Sequence, residues 1–422
     1  MSSVSAPSVS SARPSPPPPE PGRLASTGRL REELERALPD RPFALELWDG
    51  ARLEATRPGG PTFHARSPAA AGHLLRAPGQ LGLGRAYVAG VLEPDDLDAA
   101  LELLDSWSAP PLDRGARARL ALAAARAHGL RRPPPVPAAE VRLRGARHSP
   151  ARDARAVRHH YDVSNEFFEL FLGPSLTYSC AIFSRGATTL EEAQEAKLDL
   201  VATKLGLRPG DRVLDVGCGW GSFALHAAQR QGAHVTGITL SEPQAARARE
   251  RAAQAGVADR VDVRVADYRD LAGERFDAIA SIGMVEHVGA AQIGVYARRL
   301  ASLLEPGGRL LNHGIARLRH GDPEAGPFSE RYVFPDAAPL HLSRILHALE
   351  DAGLETTLVE GFRSDYAETL RHWAARLDER LDEAVRLAGP ERVRVWRLYL
   401  RAARRGFETG FTSVYQVSAK LA

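Results

Sequence analysis

The sequence contains few of the features that mark secreted or membrane-spanning proteins. Its 422 residues include two cysteines, Cys180 and Cys218, which are too far apart and too few for a disulfide framework. No apolar run approaches the roughly 18 residues that a membrane helix needs. The segment Ser2 to Pro21 is rich in Ser and Pro and lacks the apolar region of a signal peptide. We therefore expect a cytoplasmic protein whose contact with a membrane is peripheral.

Lysine is also scarce, because the chain has it only at Lys197, Lys204 and Lys420. Nearly all of the 55 basic residues are arginine, and 52 acidic residues leave a net charge of only +3. The overall charge therefore says little about partners. For most of the arginines we favour the explanation of a GC-rich genome over phosphate recognition.

One stretch, Arg114 to Arg158, is different because it holds twelve arginines opposed within it only by Glu140 and Asp153. Codon bias does not remove acidic residues. Such a stretch suits anionic lipid headgroups or nucleic acid, and a solvated linker explains it equally well. The residues alone leave these three interpretations open.

The pattern of residues divides the chain into four parts. Residues 1–23 are expected to be a disordered tail, 24–130 a small α+β domain, 131–152 a Pro- and Arg-rich linker, and 153–422 the catalytic domain. In the last part strands and helices alternate, which predicts an α/β fold with a parallel, doubly wound sheet and a ligand at the carboxyl ends of its strands. The predicted strands are Arg212–Val216, His234–Thr239, Val261–Ala266, Phe276–Ile282 and Gly308–His313.

The first of these strands runs into a glycine-rich turn, V-L-D-V-G-C-G-W-G-S, that contains Asp215, Gly217, Gly219 and Gly221. Glycine lets the backbone approach a ligand, and the helix that follows offers free N–H groups. The spacing differs by one residue from the dinucleotide fingerprint G-x-G-x-x-G. It resembles motif I of S-adenosylmethionine-dependent methyltransferases, which implies a Rossmann-like fold of that class. Alone, the turn could equally be a plain strand-to-helix connection.

Polar residues follow the next two strands. The second strand ends without an acid, so Thr239 and Gln244 are the polar partners available to the cofactor there. Asp267 and Tyr268 follow the third strand, where the carboxylate could accept from an adenine amino group and the ring could stack. The alternative is a solvent-facing acid and a packed tyrosine.

Further candidates lie past the fourth and fifth strands. Glu286 and His287 follow the fourth strand, and His313 is predicted to end the fifth, positions that suit acid–base chemistry. A glutamate that benefits from a helix dipole is the alternative for Glu286. Tyr178 and Cys180 lie in an aromatic-rich loop that could cover the site, although a lone cysteine is most often a small buried hydrophobe.

Taken together, these segments resemble the cyclopropane-fatty-acyl-phospholipid synthases and the related mycolic acid methyltransferases. The resemblance covers most of residues 158–420 and rests on HYDVSNEFF, LTYSCAIF, LDVGCGWGSFALHAA, GITLSEPQ, SIGMVEHVG, RYVFPD and DYAETLRHW. The N-terminal LGLGRAYVAG resembles the extra domain of the long bacterial members. After RYVFPD the usual glycine-containing turn is replaced by Ala337-Ala338-Pro339, which puts the shape of the lid over the acyl chain in question.

The resemblance implies two sets of site residues. Bicarbonate, the active-site base of the family, would be held by Cys180, Glu286, His313, Ile315 and Tyr366, with Cys180 and Ile315 acting through their backbone N–H groups. S-adenosylmethionine would be bound by Tyr178, Gly217, Gly219, Thr239, Gln244 and Tyr268. From their positions at the strand ends we also predict Asp215, Gly221, Asp267, Ile282 and Gly283 as cofactor-binding residues. We predict no metal site and no nucleic-acid partner.

The implied reaction is transfer of a methyl group to the cis double bond of an unsaturated phospholipid acyl chain. The carbocation that forms needs a dry site with aromatic faces, for which Phe167, Phe168, Phe171 and Tyr178 are candidates. Loss of a proton from the new methyl to bicarbonate would close a cyclopropane ring.

Three alternatives remain at the level of sequence. The same cation could give a methylene-branched or methyl-branched chain, the acceptor could be a small amine, or the protein could bind lipid without catalysis. The sequence also leaves open whether the N-terminal domain docks to a membrane or mediates a homodimer.

Overall fold

A computed structural model describes residues 27–143, 145–149, 152–153, 155–156, 163–321 and 326–422. The expected tail 1–23 and residues 159–162 of the H-H-Y-D motif lie outside the described residues. No helix in the described part of the chain has the length and apolar character that a membrane span requires.

Residues 28–127 form a small sheet with five helices. The sheet has the strand order β2-β1-β3-β4, in which β1 pairs parallel to β3 while the other pairs are antiparallel. The elements of this region are α1 (Gly28–Ala37), β1 (Ala44–Glu46), β2 (Arg52–Leu53), β3 (Thr62–Ala65), α2 (Ala69–Arg76), α3 (Gln80–Val88), β4 (Leu92–Pro94), α4 (Leu97–Ser106) and α5 (Arg114–Ala127).

The segment L-G-L-G-R-A-Y-V folds as helix α3, and its glycines permit close packing. A β-carbon at Gly84 would lie 2.4 Å from the Phe328 ring, which belongs to the catalytic part of the chain. One residue on, the buried Arg85 guanidinium donates two hydrogen bonds of 2.7 Å to Glu140. Helix α3 therefore joins the two halves of the molecule.

The larger sheet has seven strands in the order β10-β11-β9-β8-β5-β6-β7. Strands β5 to β9 run parallel to their neighbours, which confirms the predicted doubly wound core, but β11 runs antiparallel to both β9 and β10. The strands are β5 (Arg212–Val216), β6 (His234–Thr239), β7 (Val261–Val265), β8 (Phe276–Ile282), β9 (Leu304–Arg317), β10 (Leu354–Gly361) and β11 (Thr412–Leu421).

Strand β9 differs from the prediction. The sequence placed its end at His313, whereas the strand continues to Arg317 because β11 pairs with it from Lys420 to Thr412. His313 is thus an interior strand residue, paired with Gln416 of β11 on one side and with Ile282 of β8 on the other.

Helices cover both faces of the large sheet. Tyr296, Leu300 and Leu349 pack on one face, and Val201 and Phe223 pack on the other. The helices of this half are α6 (Asn165–Leu172), α7 (Leu190–Leu205), α8 (Ser222–Gln231), α9 (Glu242–Gln254), α10 (Ile293–Ser302), α11 (Pro327–Tyr332), α12 (Leu342–Asp351), α13 (Arg363–Glu379), α14 (Leu381–Ala388) and α15 (Pro390–Glu408).

A third apolar core consists largely of aromatic rings. Phe167, Phe168 and Phe171 of α6 are fully buried against Trp396, with ring centroids 5.2 to 5.8 Å from it. Aromatic contacts of this kind stabilise a core beyond the burial of apolar area. These three phenylalanines were candidates for stabilising a cation, but their side chains lie fully buried inside this core.

The arginine-rich stretch is partly neutralised by the fold. Arg152 and Arg147 both bind Asp336, a residue far away in sequence that the sequence analysis did not count among the opposing acids. The exposed arginines of α5 and of the turn after it stay in contact with solvent. The second half of the stretch is thus held against the RYVFPD segment by Arg147 and Arg152, while the first half faces solvent.

Candidate active site

A cavity opens at the carboxyl ends of β5, β6 and β8, where the strand order reverses and where doubly wound folds bind their ligands. The glycine-rich turn forms its floor. Gly217 and Gly219 have φ values of +76° and +55°, a left-handed conformation that favours glycine, and nothing lies within 4 Å of a β-carbon built at Gly219. A ligand can therefore lie directly on this backbone.

Ten of the eleven predicted cofactor residues line this cavity, and Gly221 does not. A β-carbon at Gly221 would lie 2.9 Å from Leu225 and 3.1 Å from Ala248, so this glycine allows α8 and α9 to pack closely. The ten residues are Tyr178, Asp215, Gly217, Gly219, Thr239, Gln244, Asp267, Tyr268, Ile282 and Gly283.

The polar pair after β6 is preorganised. Thr239 donates a hydrogen bond of 2.7 Å to the amide oxygen of Gln244, and both side chains are buried. The Gln244 amide nitrogen, which only donates, is the group left for a ligand.

Asp267 and Tyr268 combine the two interpretations that the sequence allowed. Both carboxylate oxygens of Asp267 accept from the Arg269 guanidinium, which also binds Asp153 at 2.9 Å. The Tyr268 ring packs edge-to-face on Tyr296, with centroids 5.6 Å apart. Both residues are thus held by the protein and also form part of the cavity wall.

The cavity wall also includes residues that the sequence analysis missed, above all Ser179 and Lys197. Lys197 lies on α7, is 1% exposed, and donates a hydrogen bond of 2.9 Å to Ser179 Oγ. A signal was present, since Lys197 and Lys204 are two of only three lysines and lie seven residues apart, on one face of a helix.

None of the five residues expected to hold bicarbonate lines this cavity; Cys180, Glu286 and His313 are buried beside it. Glu286 belongs to a 3₁₀ turn, Val285–His287, that follows β8. Burial raises the pKa of Glu286 to about 7, although backbone N–H groups of Glu286 and Ile315 bind the carboxylate and lower it. Its Oε2 atom is buried without a hydrogen-bond partner.

Gly314 gives this carboxylate its space. A β-carbon at Gly314 would come within 2.2 Å of Val285 and 3.2 Å of Glu286 Oε2. The segment after RYVFPD also contributes, because the Ala338 N–H donates to the Glu286 carbonyl at 2.9 Å. The unusual Ala337-Ala338-Pro339 sequence therefore packs against the site.

The His313 ring is fixed by two residues far away in sequence. Lys204 donates a hydrogen bond of 2.6 Å to the amide oxygen of Gln416, which directs the Gln416 nitrogen to His313 Nδ1 at 3.1 Å. Since lysine only donates, this arrangement makes Nδ1 the acceptor and places the imidazole proton on Nε2. That Nε2 atom is buried without a hydrogen-bond partner.

The surroundings keep this imidazole neutral. Burial lowers the pKa of His313 to about 3, and the charges of Lys197 and Lys204 act in the same direction. A neutral ring with its proton on Nε2 can donate one hydrogen bond but cannot act as a cation.

Cys180 and Tyr366 complete the predicted set. Burial raises the pKa of the Cys180 thiol well above its ordinary value, and its Sγ faces the Phe362 carbonyl at 3.7 Å, surroundings that disfavour the reactive thiolate. The Tyr366 ring packs on Phe407 with centroids 4.6 Å apart. These contacts leave Tyr366 at the edge of the aromatic core.

Comparison with known proteins decides the family. The family model described as mycolic acid cyclopropane synthetase matches residues 148–417. The chain belongs to this cyclopropane synthetase family. It is an S-adenosylmethionine-dependent methyltransferase, as the resemblance implied.

Two relatives of this cyclopropane synthetase family member extend over nearly all of its length. A probable fatty acid methyltransferase of Mycobacterium tuberculosis is 42% identical over 412 residues, which cover 93% of this chain and 95% of that protein. A probable fatty acid methyltransferase of Pseudomonas putida is 38% identical over 393 residues, covering 90% and 91%. The crystal structure of the mycolic acid cyclopropane synthase CmaA1 with SAH and CTAB has a TM-score of 0.60 at 33% identity, covering 63% of this chain and 98% of that one.

Proposed function

We propose that the enzyme converts the cis double bond of an unsaturated phospholipid acyl chain into a cyclopropane ring. The observation that carries this proposal is the pair of unpartnered buried atoms, Glu286 Oε2 and His313 Nε2, next to the cofactor cavity. An enzyme that only moved a methyl group to an amine would not need a second buried polar site to receive a proton from the new methyl.

The two unpartnered groups, one acceptor on Glu286 and one donor on His313, suit bicarbonate. An ionised Glu286 accepts a hydrogen bond from the O–H of that ion, and the Nε2–H of His313 donates to one of its oxygens. When bound, the ion supplies a base of modest strength without placing a nucleophilic side chain beside a cation. A carboxylate whose pKa is about 7 is partly ionised at neutral pH, so it can take part in this binding.

The surrounding protein excludes water and presents aromatic faces. Tyr178 lines the cavity, and its ring packs at a tilt on Trp373 with centroids 5.2 Å apart. Phe334 lies edge-to-face on Tyr399 at 5.5 Å. Aromatic faces stabilise a cation, and a dry site prevents its capture by water. Attack of the alkene on the sulfonium methyl would release S-adenosylhomocysteine, and loss of a methyl proton would close the ring.

An exposed basic surface fits a phospholipid substrate that resides in a membrane. It comprises α5 and the turn after it, where Leu122 is 48% and Leu130 72% exposed. The same helix and turn carry five exposed arginines that form no ion pair within the described residues: Arg114, Arg117, Arg126, Arg131 and Arg132. Basic residues near an anionic bilayer contribute about 1 kcal/mol each, and the leucines can insert among the headgroups.

The decisive experiment is incubation of the purified protein with S-adenosylmethionine and liposomes of a cis-monounsaturated phospholipid, followed by mass spectrometry and proton NMR of the acyl chains. We expect a gain of one CH2 and upfield ring protons. The same mass gain with an exocyclic methylene signal would overturn the cyclopropane product. No gain, with methylation of small amines instead, would overturn the lipid substrate.

A matched pair of variants links the product to the site. Glu286→Gln should bind S-adenosylhomocysteine as the wild type does and lose most cyclopropane formation, because the amide donates where the carboxylate accepts. Glu274→Gln, at a partly exposed ion pair with Arg264, should leave both unchanged. Wild-type turnover by Glu286→Gln would contradict the role of this carboxylate.

Membrane contact is tested separately by vesicle sedimentation. Replacement of Arg126, Arg131 and Arg132 by glutamine should weaken binding to anionic vesicles roughly a hundredfold, from about 1 kcal/mol for each charge. The control replaces three other exposed arginines, Arg208, Arg298 and Arg344, and changes the net charge equally. Equal losses in both variants would show that only the net charge matters, and would overturn the proposal that α5 and the turn after it bind the membrane.

A further inference from the structure

Glu360 lies on β10, at one edge of the large sheet, and binds two cations from different parts of the chain. Its Oε2 atom accepts from the Lys204 ammonium of α7, and its Oε1 atom accepts from the Arg185 guanidinium, each at 2.6 Å. The Lys204 side chain is 8% exposed, whereas Glu360 and Arg185 remain in contact with solvent. One carboxylate at the surface therefore fixes an ammonium that is nearly buried.

This carboxylate shares a cross-strand row with His313. In the strand register Glu360 of β10 lies opposite Gln416 of β11, which lies opposite His313 of β9. The next residue across, on β8, is Ile282 of the cofactor cavity wall. Directly opposed residues lie on the same face of a sheet. The row thus runs from the sheet edge to the cofactor cavity, and the Lys204 ammonium contacts two of its members, Glu360 and Gln416, at 2.6 Å each.

The orientation of the Gln416 amide decides which nitrogen of His313 carries the proton. An amide has an oxygen on one side and a nitrogen on the other, and an ammonium can only donate. A charged Lys204 therefore takes the amide oxygen and leaves the nitrogen for the histidine. A neutral amine also has a lone pair, so it tolerates the reversed amide, whose oxygen would face Nδ1 and draw the proton away from Nε2. The charge on Lys204 is thus what fixes the tautomer.

The charge on Lys204 depends on its neighbours. Burial lowers the pKa of the ammonium below its ordinary value of 10.5, Glu360 raises it, and the charge of Arg185 lowers it. Within the described residues these two are the charged groups that act on Lys204 directly, and the neutral His313 lies beyond Gln416. Burial raises the pKa of Glu360, but the hydrogen bond and charge of Lys204 outweigh this, so the carboxylate is ionised at neutral pH. Glu360 therefore provides the opposite charge that favours the charged form of a nearly buried lysine.

We propose that Glu360 and Lys204 are positioning residues for the proton-accepting part of the site. Glu360 keeps the Lys204 ammonium charged, and that charge holds Gln416 so that His313 presents its Nε2–H to the bound base. Both residues act through Gln416. This inference rests on the proposed function, because loss of a proton to a bound base is what gives that N–H its use.

The first test compares two substitutions of Lys204 in the full-length protein. The readout is the ¹⁵N shifts of the His313 ring, assigned by their disappearance in His313→Asn. Lys204→Arg keeps a cation that only donates, so the proton should stay on Nε2. Lys204→Met removes the donor and leaves the Gln416 amide without a fixed orientation, so a substantial share of the protons should move to Nδ1. Both variants should bind S-adenosylhomocysteine as the wild type does. Wild-type ring shifts in Lys204→Met would overturn the proposal.

The second test separates the charge of Glu360 from its packing. As the pH rises from 7, the Nε2 tautomer should be lost with the same midpoint as the Lys204 ε-carbon signal, one of only three such signals because the chain has three lysines. Glu360→Gln should move this midpoint to lower pH, because the charge that favours the ammonium is gone. Arg185→Gln should move it to higher pH, because the charge that disfavours the ammonium is gone.

A merely structural role would not give shifts of opposite sign. Shifts in the same direction, or a tautomer that stays fixed while Lys204 titrates, would overturn the proposal. Glu355→Gln is the matched control, since Glu355 is an exposed glutamate of the same strand and forms no ion pair among the described residues. It changes the net charge as Glu360→Gln does and should leave the midpoint in place.

Turnover connects these residues to the reaction. At neutral pH, Lys204→Met should raise the bicarbonate concentration for half-maximal cyclopropane formation about tenfold, as for the loss of one hydrogen bond to an ion. Lys204→Arg should keep the wild-type requirement. Equal requirements in Lys204→Met and the wild type would overturn the link to the base. If the wild type formed no cyclopropane, the proposed function would fail, whereas the ring shifts would still decide whether Glu360 and Lys204 set the tautomer.

Discussion

Arg85 of α3 and Glu140 of the linker form a buried ion pair with two hydrogen bonds of 2.7 Å, and their side chains are 3% and 0% exposed. The Tyr332 hydroxyl of α11 donates a third hydrogen bond to the same carboxylate at 3.0 Å. Burial alone would raise the pKa of Glu140, but the hydrogen bonds from Arg85 and Tyr332 outweigh it and hold the pKa below its ordinary value. One carboxylate thus joins the small sheet, the linker and the catalytic half.

Glu140→Ala should therefore destabilise the protein strongly, because it leaves the Arg85 guanidinium buried without its partner. Loss of one member of a buried pair costs about 3 to 5 kcal/mol. Urea unfolding should show this loss, whereas Glu368→Ala, at the exposed pair with Arg371, should change stability by less than about 1 kcal/mol. Equal effects of the two variants would show that the buried pair does not hold the halves together.

Gly84→Ala should weaken the same junction by a steric route. The new methyl group would lie 2.4 Å from the Phe328 ring, so α3 or α11 must move. We expect a loss of about 1 to 3 kcal/mol, typical of overpacking, and recovery when Phe328→Leu is added. Gly294→Ala is the matched control, because only the far end of the flexible Arg298 side chain approaches that position. Alanine there should stabilise α10 by up to about 1 kcal/mol.

Gln416 should set the tautomer of His313. Gln416→Glu replaces the donor to Nδ1 by a carboxylate that only accepts, so the proton should move to Nδ1 and Nε2 should lose its N–H. The ¹⁵N shifts of the His313 ring report this exchange directly. Cyclopropane formation should fall at least tenfold while S-adenosylhomocysteine binding is kept. If activity were lost while the ring shifts stayed unchanged, Gln416 would not determine the tautomer of His313, and the loss would come from a packing defect.

Glu286 should make stability depend on pH near neutrality. Its pKa is about 7 in the folded protein against an ordinary value of 4.5, so folding favours the protonated form. Its contribution is therefore fully present below about pH 4.5 and is lost as the pH rises through 7, a change of about 3 kcal/mol at 1.36 kcal/mol per pKa unit.

Because Asp215 shifts in the same direction, the measurement is the difference between the wild type and Glu286→Gln in carbonate-free buffer. The variant should gain relative stability between pH 5 and pH 8. A difference that stays constant over this range would show that Glu286 titrates as an exposed glutamate does.

The sequence predicted the core of the catalytic fold well because strand and helix signals alternate there. The glycine turn, the polar residues after β6 and the wall residues of β8 all follow from their positions at strand ends. Strand β11 was not predicted as a strand, since it carries the polar residues Ser413, Gln416 and Ser418 at buried positions and so lacks a clear apolar pattern. The partner of His313 could not be predicted, because Gln416 lies 103 residues away and meets it only through strand pairing.

That long separation has a consequence for biosynthesis. A nascent chain that has exposed residues up to about β9 already contains the glycine turn and the strands that surround the cofactor cavity, and domains generally begin to fold from the N-terminal side. His313 still lacks its hydrogen-bond partner at that stage, and β9 has an open edge until β11 pairs with it. The cofactor cavity can therefore form before the His313 ring is fixed, because Gln416 leaves the ribosome only near the end of synthesis.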